Sequence, residues 1–134
     1  MPPAPFRHVV RTRFNEVDMQ GRVFNANWLS YFDEAYAEFI ENLGEPLAAS
    51  ELLHSVLVKA VVEWKGSATY RDEIGIAVSV SRIGNSSFDF AYEAMVGSET
   101  VCTGTHTYVN IDGSTGRSRP LGEPLRRKLE TRTH

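Results

Sequence analysis

The sequence predicts an α+β fold in which one antiparallel sheet covers one long helix. Three features point there. A wide apolar stripe at helical spacing runs from Trp28 to Leu43. Four segments rich in β-branched and aromatic residues follow it. Short turns join most of them, and short turns make consecutive strands antiparallel neighbours. The single greasy helix and the single sheet must then bury each other's apolar faces.

In chain order, His8 to Phe14 alternates and reads as a first strand. A polar loop, "NEVDMQGRVFNAN", leads into the helix. Trp28, Leu29, Phe32, Ala35, Tyr36, Phe39, Ile40 and Leu43 recur in steps of three and four, so one side of this helix is deeply buried. Asn25 is the expected N-cap, with Phe24 and Leu29 as a hydrophobic staple. Gly44 suits the position after the last turn, and Pro46 stops continuation. Residues from Pro46 to Leu53 are expected to hold a short helical turn.

Strands follow: "SVLVKAVVEW", then "IGIAVSVSRI" after a break at Gly66 and a polar corner at Arg71, Asp72 and Glu73. A turn at Gly84-Asn85 leads to "SSFDFAYEAMV", which places Phe88, Phe90, Tyr92, Ala94 and Val96 on one face. A turn at Gly97-Ser98 leads to "TVCTGTHTYVNI". After "DGSTG", the stretch "GEPLRRKLE" is a terminal helix with Pro124 in its first turn. Residues 1–134 form a single domain without repeats or linkers. One helix cannot cover both faces and both edges of the sheet, so a second copy of the chain is expected to complete it, as a homodimer or homotetramer.

Composition narrows the function classes. The chain has 134 residues, 42% hydrophobic and 23% charged, with a net charge of −3. That is a soluble globular composition with no basic patch of nucleic-acid type. The Arg126, Arg127, Lys128 cluster reads as a solvated face of the last helix. A lone cysteine, Cys102, excludes an internal disulfide and suits a reducing compartment. "MPPAPFRHVV" lacks the pattern of a signal peptide, and no apolar run is long enough to span a bilayer. The cytoplasm is the expected location, with no nucleic-acid or membrane partner.

Several chemistries lack their residues. "GSATY", "GNSSF" and "DGSTG" fail the pattern of a nucleophilic serine elbow, and no phosphate-cradling glycine loop is present. His8, His54, His106 and His134 are far apart and lack metal-ligand spacing, so no metal or cofactor is expected. Cys102 reads as a small buried apolar residue, His106 as a structural histidine or a base, and Glu63 as surface.

The polar loop remains. Asp18 three residues before Gly21 is ordinary turn chemistry on its own. Its position before a helix adds a second meaning. A helix start presents unpaired N–H groups and partial positive charge, which hold an oxyanion. A carboxylate nearby can attack a carbonyl or draw a proton from water. Asp18 and the residues from Phe24 to Asn27 supply both halves, and Gly21 lets the loop backbone approach a ligand.

The stretch "EVDMQGRVFNANWLSYFDEA" resembles the hotdog-fold acyl-CoA thioesterases of the 4-hydroxybenzoyl-CoA thioesterase group. Their pattern of an acid, two residues, glycine, a hydrophobic triplet, then Asn and an aromatic reads here as Asp18, Met19, Gln20, Gly21, "RVF", Asn25, Ala26, Asn27, Trp28. "EWKGSATYRDEI", "VSRIGNSSFDFAYEA" and "TGTHTYVNIDGSTGRSRPL" are similar to later segments in the same order. The resemblance implies a five-stranded antiparallel sheet wrapped around the central helix, paired protomers, and acyl-CoA, or acyl carrier protein, as substrate. It implies Asp18 as nucleophile or general base and the Asn25 backbone N–H as the group polarising the thioester carbonyl. Phe24, Trp28 and Tyr31 would line the acyl pocket. Arg82, Asn85, Ser86 and Ser87 on one hairpin, or Arg117 and Arg119, would meet CoA. Two positions depart from the family: Asn25 stands where many relatives carry His or Tyr, and Arg22 replaces an apolar residue.

Two other functions fit the same fold. An acyl-thioester hydratase or dehydratase needs a histidine base, which would have to be His106 or His54. A non-catalytic acyl-thioester binding module gains nothing from Asp18.

Overall fold

A computed structural model describes residues 6–44 and 50–133. Five strands form one antiparallel sheet: β1 (Phe6–Arg11), β2 (Val56–Trp64), β3 (Glu73–Ile83), β4 (Ser87–Val96) and β5 (Glu99–Val109). Their spatial order is β1-β3-β4-β5-β2. The long helix α1 (Asn27–Asn42) lies on one face, and α2 (Glu123–Glu130) follows the last strand. This is the wrapped-helix architecture expected from the sequence.

The apolar stripe of α1 meets the sheet's alternating residues. Trp28, Tyr31, Phe32, Ala35, Tyr36, Phe39 and Ile40 are buried. Opposite them Phe88, Phe90, Tyr92, Ala94 and Tyr108 are buried on the inner face. Phe32 stacks on Tyr92 at 4.8 Å, Tyr36 on Tyr108 at 4.2 Å, and Phe39 meets Phe90 edge-on at 5.0 Å. Burial of each such ring stabilises the fold by about 1.5–3 kcal/mol. Gly104 makes the Phe32 contact possible, because a Cβ there would lie 2.8 Å from the ring.

Some boundaries differ from expectation. The first strand stops at Arg11, and Phe14 opens a 3-10 turn, Phe14–Glu16. The Glu16 carboxylate accepts the Arg13 N–H at 2.8 Å and turns the chain out of the sheet. Leu29 belongs to the predicted stripe but is 37% exposed, beside β2 rather than beneath the sheet. Gly44 does follow the helix, with φ +99°. Pro46 lies outside the described residues; Glu51–His54 forms a 3-10 turn. Arg126 departs from the solvated-face expectation, since its guanidinium donates to the Gly84 and Asn85 carbonyls and clamps α2 on the β3–β4 hairpin.

The two sheet edges differ. β1 runs beside α1, whereas almost every residue of β2 is exposed. Leu57, Val58, Val61 and Trp64 are 39%, 57%, 48% and 49% exposed.

Candidate active site

The polar loop is a tight, well-bonded turn. Val17 and Val23 bridge across it, and Arg22 bridges to Thr69. The Asp18 N–H donates to the Arg22 carbonyl at 2.8 Å, and the Gly21 N–H to the Asp18 carbonyl at 3.0 Å. Gly21 takes φ +78°, a left-handed conformation that glycine adopts without a steric penalty. Asp18 Oδ1 accepts the N–H groups of Gln20 at 2.8 Å and Arg22 at 3.3 Å. Oδ2 has no partner among the described residues. The turn therefore fixes the carboxylate through one oxygen and leaves the other available.

The helix start does not use Asn25 as its cap. The N–H groups of Asn27, Trp28 and Leu29 donate to the carbonyls of Phe24, Asn25 and Ala26 at 2.9, 3.3 and 3.3 Å. These i−3 bonds make the first turn 3-10 in character. Ala26 holds the cap position in a helical conformation, with no side-chain cap. The expected Asn25 cap is thus corrected, and the expected staple with it: Phe24 and Leu29 are both exposed. The Phe24 N–H is occupied by the Glu16 carbonyl at 2.9 Å. The backbone N–H groups of Asn25 and Ala26 carry no partner among the described residues and point out of a helix start. Of the stretch from Phe24 to Asn27, these are the donors left for an oxyanion.

Glu16 organises this joint, a role sequence reasoning missed. Its carbonyl also accepts Asn27 Nδ2 at 2.8 Å, and its carboxylate accepts the Tyr31 hydroxyl at 3.0 Å. One residue thus ties loop, helix start and helix body together. Burial and the neighbouring Glu16 carboxylate push the Tyr31 hydroxyl well above its ordinary range.

Two adjoining pockets meet at Asn25 and Trp64. The first, about 280 Å³, is lined by Asp18, Arg22, Phe24, Asn25, Trp28 and Trp64, with Gly66 and Ser67 at one side. The second, about 430 Å³, is an apolar groove of Asn25, Ala26, Leu29, Ala60, Val62 and Trp64. A carboxylate and a donor pair thus adjoin an apolar channel running along α1 and β2. Trp64 is a site residue that sequence reasoning missed; its only sequence signal is its place before the strand break at Gly66.

Of the expected residues, Asp18, Arg22, Phe24, Asn25 and Trp28 come together, and Gly21 shapes their turn. Tyr31 does not join them; it faces a different cleft with Glu16. Arg82, Asn85, Ser86 and Ser87 occupy the hairpin at the far end of β3, and ten residue steps of strand separate them from the Asp18 end, roughly 30 Å. Arg82 is bound twice to Asp89 at 3.0 Å. Arg119 is also engaged, with the Glu51 carbonyl at 2.8 Å.

His106 lines neither pocket. It is buried under α1, with Nδ1 3.2 Å from the Tyr108 hydroxyl. Tyr108 in turn bonds Tyr92 at 3.0 Å and Asp33 at 3.2 Å. Cys102 is buried and its thiol is pushed up to about 12 by desolvation, which makes it a poor nucleophile at neutral pH. Glu63 is exposed.

Known proteins carry the same architecture. The profile described as the Thioesterase-like superfamily matches residues 12–129. A protein of Aquifex aeolicus (strain VF5), named as a candidate esterase, is 32% identical over 90 residues, covering 66% of this chain and 70% of the relative. The 1,4-dihydroxy-2-naphthoyl-CoA hydrolase of Nostoc punctiforme is 29% identical over 127 residues, covering 89% of this chain and 82% of the relative. A thioesterase from Thermus thermophilus, solved with coenzyme A and zinc, superimposes with a TM-score of 0.83 at 27% identity, covering 92% of this chain and 90% of that one.

Proposed function

The chain belongs to the thioesterase-like superfamily and is a thioester hydrolase; on that premise we propose that it hydrolyses acyl-CoA thioesters at the Asp18 pocket. The observation that carries the proposal is the pairing of a fixed carboxylate with the free Asn25 N–H at one cavity, the free Ala26 N–H lying at the groove that adjoins it. A thioester carbonyl oxygen placed on the Asn25 and Ala26 N–H groups becomes electrophilic at carbon. The charge that develops on oxygen is met by the helix start, and one such donor is worth roughly 100- to 1,000-fold in rate.

Asp18 Oδ2 then has two routes. It attacks the carbonyl carbon, expels the CoA thiolate and forms a mixed anhydride that water cleaves. Alternatively it takes a proton from water, whose oxygen attacks in its place. Both routes consume one water and yield free acid and CoA thiol. The apolar groove past Trp64 receives the acyl group, with Phe24 and Trp28 at its entrance. The aromatic acyl group of the Nostoc relative's substrate supports including aryl-CoAs among the candidates.

A second copy pairing along β2 would lie over this groove and complete its wall. The exposed apolar side chains of that edge strand support the pairing.

A panel of acyl-CoAs, aromatic and aliphatic, tests the activity by release of free thiol. Hydrolysis predicts stoichiometric thiol and acid. Loss of crotonyl-CoA absorbance without thiol would instead identify a hydratase, and ligand-induced stabilisation without turnover would identify a binding module.

A further inference from the structure

We propose that a charged cleft beside β1 holds the adenosine phosphate end of the CoA carrier, an inference that rests on the CoA-thioester reading. The cleft is open, about 990 Å³, and its lining includes Arg11, Arg13, Phe14, Tyr70 and Arg71. Glu16 lines this cleft, and Asp18, two residues further along the same loop, lines the candidate active site. Gly66 and Ser67 line the Asp18 pocket, and Tyr70 and Arg71, three to four residues on, line this cleft. That step covers at most roughly 13 Å of chain, which an extended pantetheine arm spans. The hairpin of Arg82 is more than twice as far away within the chain.

The chemistry of the cleft fits a purine nucleotide with phosphates. Phe14 and Tyr70 are exposed rings, 76% and 45%, held edge-on at 5.8 Å, and each offers a face for a base to stack on. The Arg71 guanidinium sits 5.1 Å from the Tyr70 ring centre. Among the described residues no carboxylate lies within ion-pair distance of Arg11, Arg13 or Arg71. The acids of the cleft are engaged by its other lining groups: Glu16 with the Tyr31 hydroxyl and the Arg13 N–H, Glu34 with His8 at 2.8 Å. Arg11 lies further along the edge, opposite Glu73 in register, so Arg13 and Arg71 are the principal phosphate ligands.

The backbone at Arg71 is specialised. Its φ of +71° is the only positive value among the described non-glycine residues. Asp72 pins this corner by accepting the Thr69 N–H at 2.8 Å, and the Arg71 N–H bonds the Thr12 carbonyl at 3.3 Å. An arginine held in a conformation that glycine would adopt freely marks a position where the side chain is needed.

The test compares an acyl-CoA with the same acyl group on N-acetylcysteamine, which lacks the nucleotide. The Arg13→Ala/Arg71→Ala double variant is expected to lose about tenfold of the preference in kcat/KM for the CoA ester, the size of a lost charge-assisted contact at a solvated site. Titration with CoA and with pantetheine reads the same margin without turnover, so it stands even if the hydrolytic reading fails. A double variant that keeps the wild-type margin in both measurements overturns the assignment. So does loss of the margin in Arg82→Ala with none in the double variant.

Discussion

Asp18 satisfies two demands with two oxygens. Oδ1 accepts the N–H groups of Gln20 and Arg22 and closes the turn, while Oδ2 is left for chemistry. The sequence made the acid and Gly21 legible because both are strong turn residues. It hid the state of the donors. Asn25 reads as a cap because Asn favours that position, yet the first turn is 3-10 and begins at Phe24. Glu16 and Trp64 were also hidden: Glu16 carries no local signal, Trp64 only its place before the break at Gly66, and both act through contacts distant in sequence. If the Asn25 backbone N–H is the working donor, Asn25→Pro removes it, whereas Asn25→Ala keeps it. Proline is tolerated in a first helical turn. The proline variant should be slower than the alanine variant by about 100-fold in kcat, the range for one oxyanion donor. Steady-state thiol release with matched melting curves checks this; equal rates would assign the carbonyl to other donors.

At the scale of elements, the helix stripe and strand alternation were readable because each period matches one buried face. The sheet order was not, because edge and centre strands share composition. β2 reads like β3 in sequence but lies at an edge, nearly all exposed. The helix-to-sheet seam depends on small residues opposite rings. Gly104→Ala would drive a methyl to 2.8 Å from Phe32, and overpacking of this kind costs about 1–3 kcal/mol. Urea denaturation should show the loss. A wild-type midpoint would mean that Phe32 relaxes freely and that the Tyr92 stack is not tightly set.

For the whole molecule, the exposed β2 edge predicts association. A charge at its centre, Val58→Lys or Val61→Glu, should shift the protein towards monomer in sedimentation equilibrium and weaken turnover together. An unchanged mass would remove β2 from the interface. Alkaline pH probes the core. Burial raises the Cys102 thiol from 9.0 to about 12, and raises the hydroxyls of Tyr36, Tyr92 and Tyr108. A raised group keeps its proton when folded and loses it when unfolded. Their stabilisation is therefore complete below about pH 9 and declines as pH climbs towards 12. Urea midpoints measured from pH 7 to 11 should fall at the alkaline end; a flat profile would contradict the burial of these groups.

The central claim is that the Asp18 carboxylate and the free N–H groups of the helix start act together on one thioester carbonyl. Its most direct test is kcat for the best acyl-CoA with wild type and Asp18→Asn, each shown to be folded. The carboxamide can keep the Oδ1 hydrogen bonds of the turn but cannot serve as nucleophile or base. Thiol release should drop at least about 100-fold, at the lower end of what such a group contributes. Equal rates in the two proteins would contradict the account and leave Asp18 as a turn residue only.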